Sequence, residues 1–409
     1  MINEYIEKYA QIIVKIGLNV QKGQTVIIRT PIDCARFARC VAEYCYKQGA
    51  REVVMSWNDE LTTKMKYLYA DDAVFDEYPN WMKEFYNTYA YNGAAFLTIY
   101  ASDPDIMKEV DPSRIVRQQK VSAKAIKDYQ DRLMSNQNAW CIVSIPTESW
   151  AKKIFPNESS EKAIELLWEN IYKAMRVDQK DPVLAWEKHL GNLKKSLDFL
   201  NQANFRLLKI KNSLGTDLTI ELPENHVWLG GSEYTQDGIE FIANMPTEEV
   251  FTAPKKNGVN GIVYSSKPLS YNGKLIDKFS LTFKDGRIVD FSCEDGYETL
   301  KQLIDTDEGS HYLGEIALVP YDSPISKCNI LFYNTLYDEN ASCHLAIGRA
   351  YPTCIKDGDK LDEEELERRG INNSINHEDF MFGTKDLEII GVTFDNREVK
   401  VFENGNFAF

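Results

Sequence analysis

The sequence predicts two domains: an N-terminal α/β domain with a largely parallel sheet over residues 1–185, and a strand-rich C-terminal α+β domain over residues 186–409. Three observations predict it. A chain of 409 residues exceeds what one hydrophobic core usually serves. Its first half alternates short β-branched runs with amphipathic stretches, the pattern of βαβ units. Its second half turns to short alternating strands joined by hairpin turns.

Residues 25–30 (TVIIRT) read as the first strand. Residues 32–47 then place Ile32, Cys34, Phe37, Val41 and Cys45 near helical spacing, and Gly49 closes that helix. Residues 51–57 (REVVMSW) complete a strand–helix–strand unit, and residues 94–100 and 140–145 read as further buried strands. Helices are expected over 113–136, 158–175 and 182–202. Beyond them, strands are expected at 205–210, 217–222, 278–283 and 287–291, with Asp285-Gly286 as a hairpin turn. A last hairpin joins 387–394 to 398–402 around Asp395-Asn396.

Charge and composition narrow the function. Acidic residues outnumber basic ones, 62 against 47, for a formal charge of −15. That field repels phosphate backbones and argues against a nucleic-acid partner. The opening residues Met1 to Glu7 carry acids where a secretory signal carries positive charge and an apolar run. No stretch approaches the roughly 20 apolar residues of a membrane span. The 8 cysteines show no CxxC pairing and read as reduced thiols. The expectation is a cytoplasmic protein without membrane contact.

Four stretches of the second half crowd carboxylates and histidines together. Residues 244–254 set Glu248 and Glu249 against an apolar run, and residues 314–320 put Glu315 at the mouth of a buried strand. Residues 338–344 bring Asp338, Glu339 and His344 near an apolar segment, and His377 and Asp379 stand two apart. If that last segment is extended, both side chains share a face. Glu339 and His344, five apart, fall about 140° from each other on a helix. Either Glu339 lies in the lead-in to a helix carrying His344, or the two flank the site from different sides; the first is favoured, since Asp338 and Asn340 are good capping residues. A carboxylate in a buried run is costly unless its charge is compensated, and a divalent metal would compensate Glu249, Glu315 and Asp379 together. Mixed imidazole and carboxylate ligands suit zinc, cobalt or manganese, and two such ions sharing a carboxylate can activate a water. The residues alone leave open that these acids cap hairpins and the histidines are hydrogen-bonded core groups. His226, His311 and Cys343 read as ordinary structural residues, and no HExxH, G-x-S-x-G or P-loop occurs.

The four stretches NMPTEEVFTAP (244–254), GEIALVP (314–320), FYNTLYDENASCHLAIGRAY (332–351) and HEDFMFGT (377–384) resemble the aminopeptidase T and aminopeptidase S family of thermophilic metalloproteases. LPENHVWLGG (222–231) and SSKPLSYNG (265–273) support the resemblance. It implies a two-metal aminopeptidase that removes the N-terminal residue of short peptides. It also implies metal ligands at Glu249, Glu315, Glu339, His344, His377 and Asp379, with Glu315 bridging and catalytic, and a catalytic role for Tyr351 beside the metals. Two divalent ions per subunit are implied, zinc or cobalt first and manganese or magnesium after them, in a homodimer whose sites face an enclosed cavity. His311 departs from the family pattern, which commonly carries arginine or another residue there. Rival readings are another binuclear hydrolase, such as a phosphoesterase, or a metabolite-binding module on the βαβ unit. The first would want cations near the metals, and the second lacks a glycine fingerprint after its first strand.

Overall fold

Parallel pairing organises the first half of the chain. In the computed structural model, which describes residues 4–101, 103–271 and 274–409, four strands run parallel in the order Glu52–Asn58, Thr25–Pro31, Ala95–Ile99, Trp140–Val143. Met1 to Asn3 of the opening segment, and Asn272 and Gly273 at the end of SSKPLSYNG, lie outside the described residues. Val26, Ile27 and Ile28 are fully buried, as expected for a strand covered on both faces. The helix Ala35–Gln48 links the first two strands and ends on Gly49, whose φ of 103° is the left-handed turn that glycine accepts without a Cβ penalty.

The described residues form two compact units. One comprises the chain up to His189 together with Ser232–Pro246, and the other comprises Leu190–Gly231 together with Thr247–Phe409. The helix expected over 113–136 is two helices, Pro112–Ala125 and Lys127–Met134, broken at Ile126. The helices Glu4–Ile12, Glu60–Tyr69, Asn80–Tyr91 and Glu148–Ile154 were not expected from pattern. Glu60–Tyr69 buries none of its residues, and its apolar side chains Leu61, Met65 and Tyr69 stay exposed.

The second unit is built on two antiparallel sheets. The larger orders eight strands as Arg287–Ser292, Ser280–Lys284, Val259–Tyr264, Asp217–Glu221, Leu207–Lys211, Glu388–Val392, Glu398–Glu403 and Asn406–Phe407. Its turn Asp285-Gly286 has φ of 50° and 83°, the pair of positive values a tight hairpin needs. Along Leu207–Lys211 the inward residues Leu208 and Ile210 alternate with exposed Lys209 and Lys211. The smaller sheet orders His377–Met381, His344–Gly348, Leu313–Leu318, Val250–Thr252 and Leu229–Gly230. Phe205, Leu208, Ile316, Leu345 and Phe380 belong to one buried apolar cluster of this unit.

Candidate metal centre

Register across the smaller sheet decides which side chains meet. Glu315 pairs with Ala346, and Ala346 pairs with Asp379 on the next strand. His344 pairs with Ala317 on one side and Met381 on the other, and Gly348 pairs with His377. Side chains alternate faces along a strand, so Glu315, His344, His377 and Asp379 project from one face. Ala317, Ala346 and Gly348 stand between them, and Met381 and Phe251 share the face at its margins. Gly348 has a φ of 108°, and a Cβ there would lie 2.4 Å from the Asn376 carbonyl oxygen, so glycine is required beside His377.

The expected strand at His377 and Asp379 is present as His377–Met381. The expected helix at His344 is not. His344–Gly348 is a fully buried strand, with partners on both sides whose ladders satisfy its backbone. The helical segment lies upstream: Thr335–Asp338 is capped by Asn334 and tightens into the 3₁₀ turn Glu339–Ala341, and Ser342 is already extended. Glu339 thus closes a helical segment rather than leading into one. Cys343 and His344 diverge because they occupy opposite faces of an extended chain.

The atoms converge closely. His344 Nε2 lies 3.2 Å from Glu249 Oε2 and 3.5 Å from Glu315 Oε1. His377 Nε2 lies 3.6 Å from Glu315 Oε2 and 3.6 Å from Asp379 Oδ1. Glu249, Glu315 and His344 each offer one atom within 4.8 Å of the others, a grouping that fits a metal ion. The two histidines are held alike. His344 Nδ1 meets the Ser342 carbonyl at 3.1 Å and His377 Nδ1 meets the Arg349 carbonyl at 2.7 Å. A backbone acceptor at Nδ1 fixes the ring and turns Nε2 toward the carboxylates, the orientation that metal-ligating histidines use once Nε2 gives up its proton.

Burial and charge make this cluster costly by itself. Glu315 is 5 % exposed and His344 is 1 % exposed. Burial, with repulsion from Asp379 and Glu249 added, pushes Glu315 up to about 7 against the hydrogen bond from His344. Burial, then the charges of Glu249 and Asp379, raises Glu339 well above the usual carboxylate range. Burial opposes a charge on His344, but Glu249 and Glu315 outweigh it and hold the imidazole well above its ordinary value. Glu249 Oε2 and Asp379 Oδ1 are buried without a hydrogen-bond partner among the described residues. Two orphaned carboxylate oxygens aimed at a cluster of acids and imidazoles are what a cation would satisfy.

Neighbouring residues brace the cluster. Asn340 accepts the Glu248 amide at 2.7 Å, donates to the Leu336 carbonyl at 3.2 Å and reaches Glu339 Oε1 at 3.4 Å. Asp338 accepts the Phe332 amide at 2.7 Å and the Asn334 amide at 3.0 Å, clamping the loop between them. Read from sequence as caps, these two residues instead tie separate segments together. Tyr351 is 46 % exposed, with its ring 5.1 Å from that of His377. Burial of its hydroxyl and the charges of Glu315, Asp379, Glu339 and Glu249 push its pKa upward. His226 is buried, with Nδ1 3.1 Å from the Pro223 carbonyl, and His311 approaches Asp305 at 3.9 Å; neither forms an ion pair with the cluster among the described residues.

Comparison with known proteins shows the family. The family described as peptidase M29, thermophilic metalloprotease, matches residues 2–407. Aminopeptidase 2 of Geobacillus stearothermophilus is 48 % identical over 404 residues, covering 99 % of this chain and 98 % of that protein. Aminopeptidase AmpS of Bacillus subtilis is 49 % identical over 407 residues, covering 100 % and 99 %. The solved structure of wild-type AmpT from Thermus thermophilus superposes with a TM-score of 0.92 at 36 % identity, covering 99 % of each chain.

Proposed function

The chain belongs to the thermophilic metalloprotease family, and from that premise we propose that it is a metalloaminopeptidase working through two divalent ions held by Glu249, Glu315, Glu339, His344, His377 and Asp379. One observation carries the two-ion reading. The two oxygens of Glu315 face different imidazoles, Oε1 toward His344 at 3.5 Å and Oε2 toward His377 at 3.6 Å. Ligand atoms around tetrahedral zinc, with bonds of about 2.0 Å, stand roughly 3.3 Å apart. Glu315 therefore suits a bridge between two positions, one beside Glu249 and His344 and one beside His377 and Asp379. Four carboxylates with two neutral imidazoles also balance the charge of two divalent cations.

Ions bound there would supply Lewis acidity and acidify a water toward neutral pH. The chain's own residues do the rest. A carboxylate of the cluster suits relay of a proton from the activated water toward the leaving amine. The Tyr351 hydroxyl stays protonated, since burial and nearby carboxylates raise its pKa, and it suits donation to the oxyanion of the attacked carbonyl. Asp338 and Glu378, which line the adjoining cavity and are not among the six, favour a substrate's free α-ammonium, which selects the terminal residue.

Short peptides are the proposed substrates and zinc or cobalt the proposed metals. A homodimer in the cytoplasm is the proposed setting, with catalysis in the second domain, residues 186–409. No helix among the described residues is long and apolar enough to cross a membrane. The test is hydrolysis of leucine p-nitroanilide before and after chelation, beside its N-acetylated form. The free substrate should be cleaved only with metal, and the blocked one should be inert. Equal cleavage of both would replace the aminopeptidase with a general amidase.

A further inference from the structure

Two neighbouring cavities of the second unit carry opposite charge. The smaller, about 70 Å³, is lined by Asp338, Glu339, Glu378 and Asp379 and so opens onto the centre described above. The larger, about 480 Å³, is lined by Lys267 and Lys385 with the hydroxyl residues Ser266 and Thr384. Its described lining includes no aspartate or glutamate, although acids outnumber bases 62 to 47 in the chain. Pro268 and Leu331 line both cavities, so the two adjoin.

Lys267 has no carboxylate within ion-pair distance among the described residues. Asp338, whose charge it feels, spends both oxygens on the Phe332 and Asn334 amides. Burial pulls the lysine's pKa down, the mark of a cation that lacks a counter-ion. Ser266 Oγ, in the same lining, is buried without a hydrogen-bond partner among the described residues. A half-buried ammonium and an idle hydroxyl call for an anion.

We infer that this basic cavity binds the C-terminal carboxylate of a short peptide whose α-ammonium end lies at the acidic cavity. The inference rests on the aminopeptidase reading and sharpens its substrate class to zwitterionic peptides of a few residues. An extended chain covers about 3.3–3.6 Å per residue, so only a short peptide has both charged ends near adjoining cavities. Lys267 supplies the charge, and exposed Lys385 adds to the field at the cavity's rim. The pairing makes the far end of the substrate a specificity element while the chemistry stays at the near end.

The test compares leucyl-glycyl-glycine, its C-terminal amide and leucine p-nitroanilide. A charge-assisted hydrogen bond corresponds to roughly tenfold to hundredfold in affinity. The unaltered enzyme should favour the free acid over the amide by at least about tenfold in kcat/KM, mostly through KM. In Lys267→Met that ratio should fall toward one, and in Lys385→Met it should fall less. Equal efficiency on acid and amide by the unaltered enzyme overturns the inference, as does a ratio that survives in the double variant. If Lys267→Met fails to fold, the unaltered enzyme's ratio and Lys385→Met decide. Failure to cleave any of the three substrates strikes the aminopeptidase reading instead. Binding of the acid and amide by calorimetry then decides the carboxylate question separately.

Discussion

His344 Nε2 stands 3.2 Å from Glu249 Oε2 while its Nδ1 is tied to the Ser342 carbonyl at 3.1 Å. The imidazole is thus oriented by the main chain, with Nε2 facing a buried carboxylate oxygen. Neighbouring His377 repeats the arrangement with the Arg349 carbonyl.

His377→Ala should lower turnover by more than about a hundredfold, since even the outer partners of metal ligands cost ten- to hundredfold. Its metal content should fall with it, and its circular dichroism should match the parent because His377 is partly exposed. His344→Ala should do the same to activity and bring a lower melting temperature, since it leaves a cavity at a site 1 % exposed. Full metal content by elemental analysis in both variants would remove the ligand assignment.

The metal-free protein should lose stability as pH rises. Glu315 is pushed up to about 7 in the folded chain, against about 4.3 for an unperturbed glutamate. His344 is held well above its ordinary value. In both cases the folded chain binds protons that the unfolded chain has released, so unfolding becomes easier with rising pH. The Glu315 part is lost between about pH 4.3 and 7, and the His344 part as pH passes its raised folded value. Metal binding displaces those protons. The melting temperature of chelated protein should therefore be lower at pH 8 than at pH 5.5, and the gain on adding zinc larger at pH 8. Calorimetric scans at the two pH values measure this, and a reversed order would contradict it.

Tyr351→Phe should reduce kcat by roughly tenfold to a thousandfold, the range for a single donor to an oxyanion, with a small change in KM. Steady-state kinetics on leucine p-nitroanilide separate the two constants. A rise in KM with kcat intact would make Tyr351 a binding wall instead.

Ala346→Leu should act as a ligand loss without removing any ligand. Ala346 lies in register between Glu315 and Asp379 and is fully buried, so three extra carbons enter the space the carboxylates share. Metal content should drop at both positions together, whereas Asp379→Asn should spare the position beside Glu249 and His344. Titration of bound metal per chain in the two variants distinguishes these outcomes.

Pattern reading reached the parallel strands, the hairpins and the pair His377 and Asp379, because period two leaves a local trace in sequence. It failed at His344. There the capping residues Asp338 and Asn340 resemble a helix start, and a strand buried on both faces loses the alternation that would identify it. The return of Ser232–Pro246 to the first unit and the meeting of Lys267 with Lys385 in one cavity depend on contacts distant in sequence. No local window contains them. Glu315, His344, His377 and Asp379 were visible as suspicious neighbours, but register across three strands was needed to bring these four onto one face.

Cys343 immediately precedes His344, yet its sulfur lies between the Val319 amide and carbonyl, 3.3 Å from each, and burial pushes its thiol up to about 12. The pleat of one strand thereby insulates a hard, oxygen- and nitrogen-lined pocket from the soft donor next door. Mercurials and alkylating agents, which need an accessible thiolate, find none at Cys343, in contrast to the partly buried Cys293 and Cys328, so a poison of this pocket must compete for its oxygens and imidazoles instead. Selection against toxic thiophilic ions is thus written into the phase of a single β-strand.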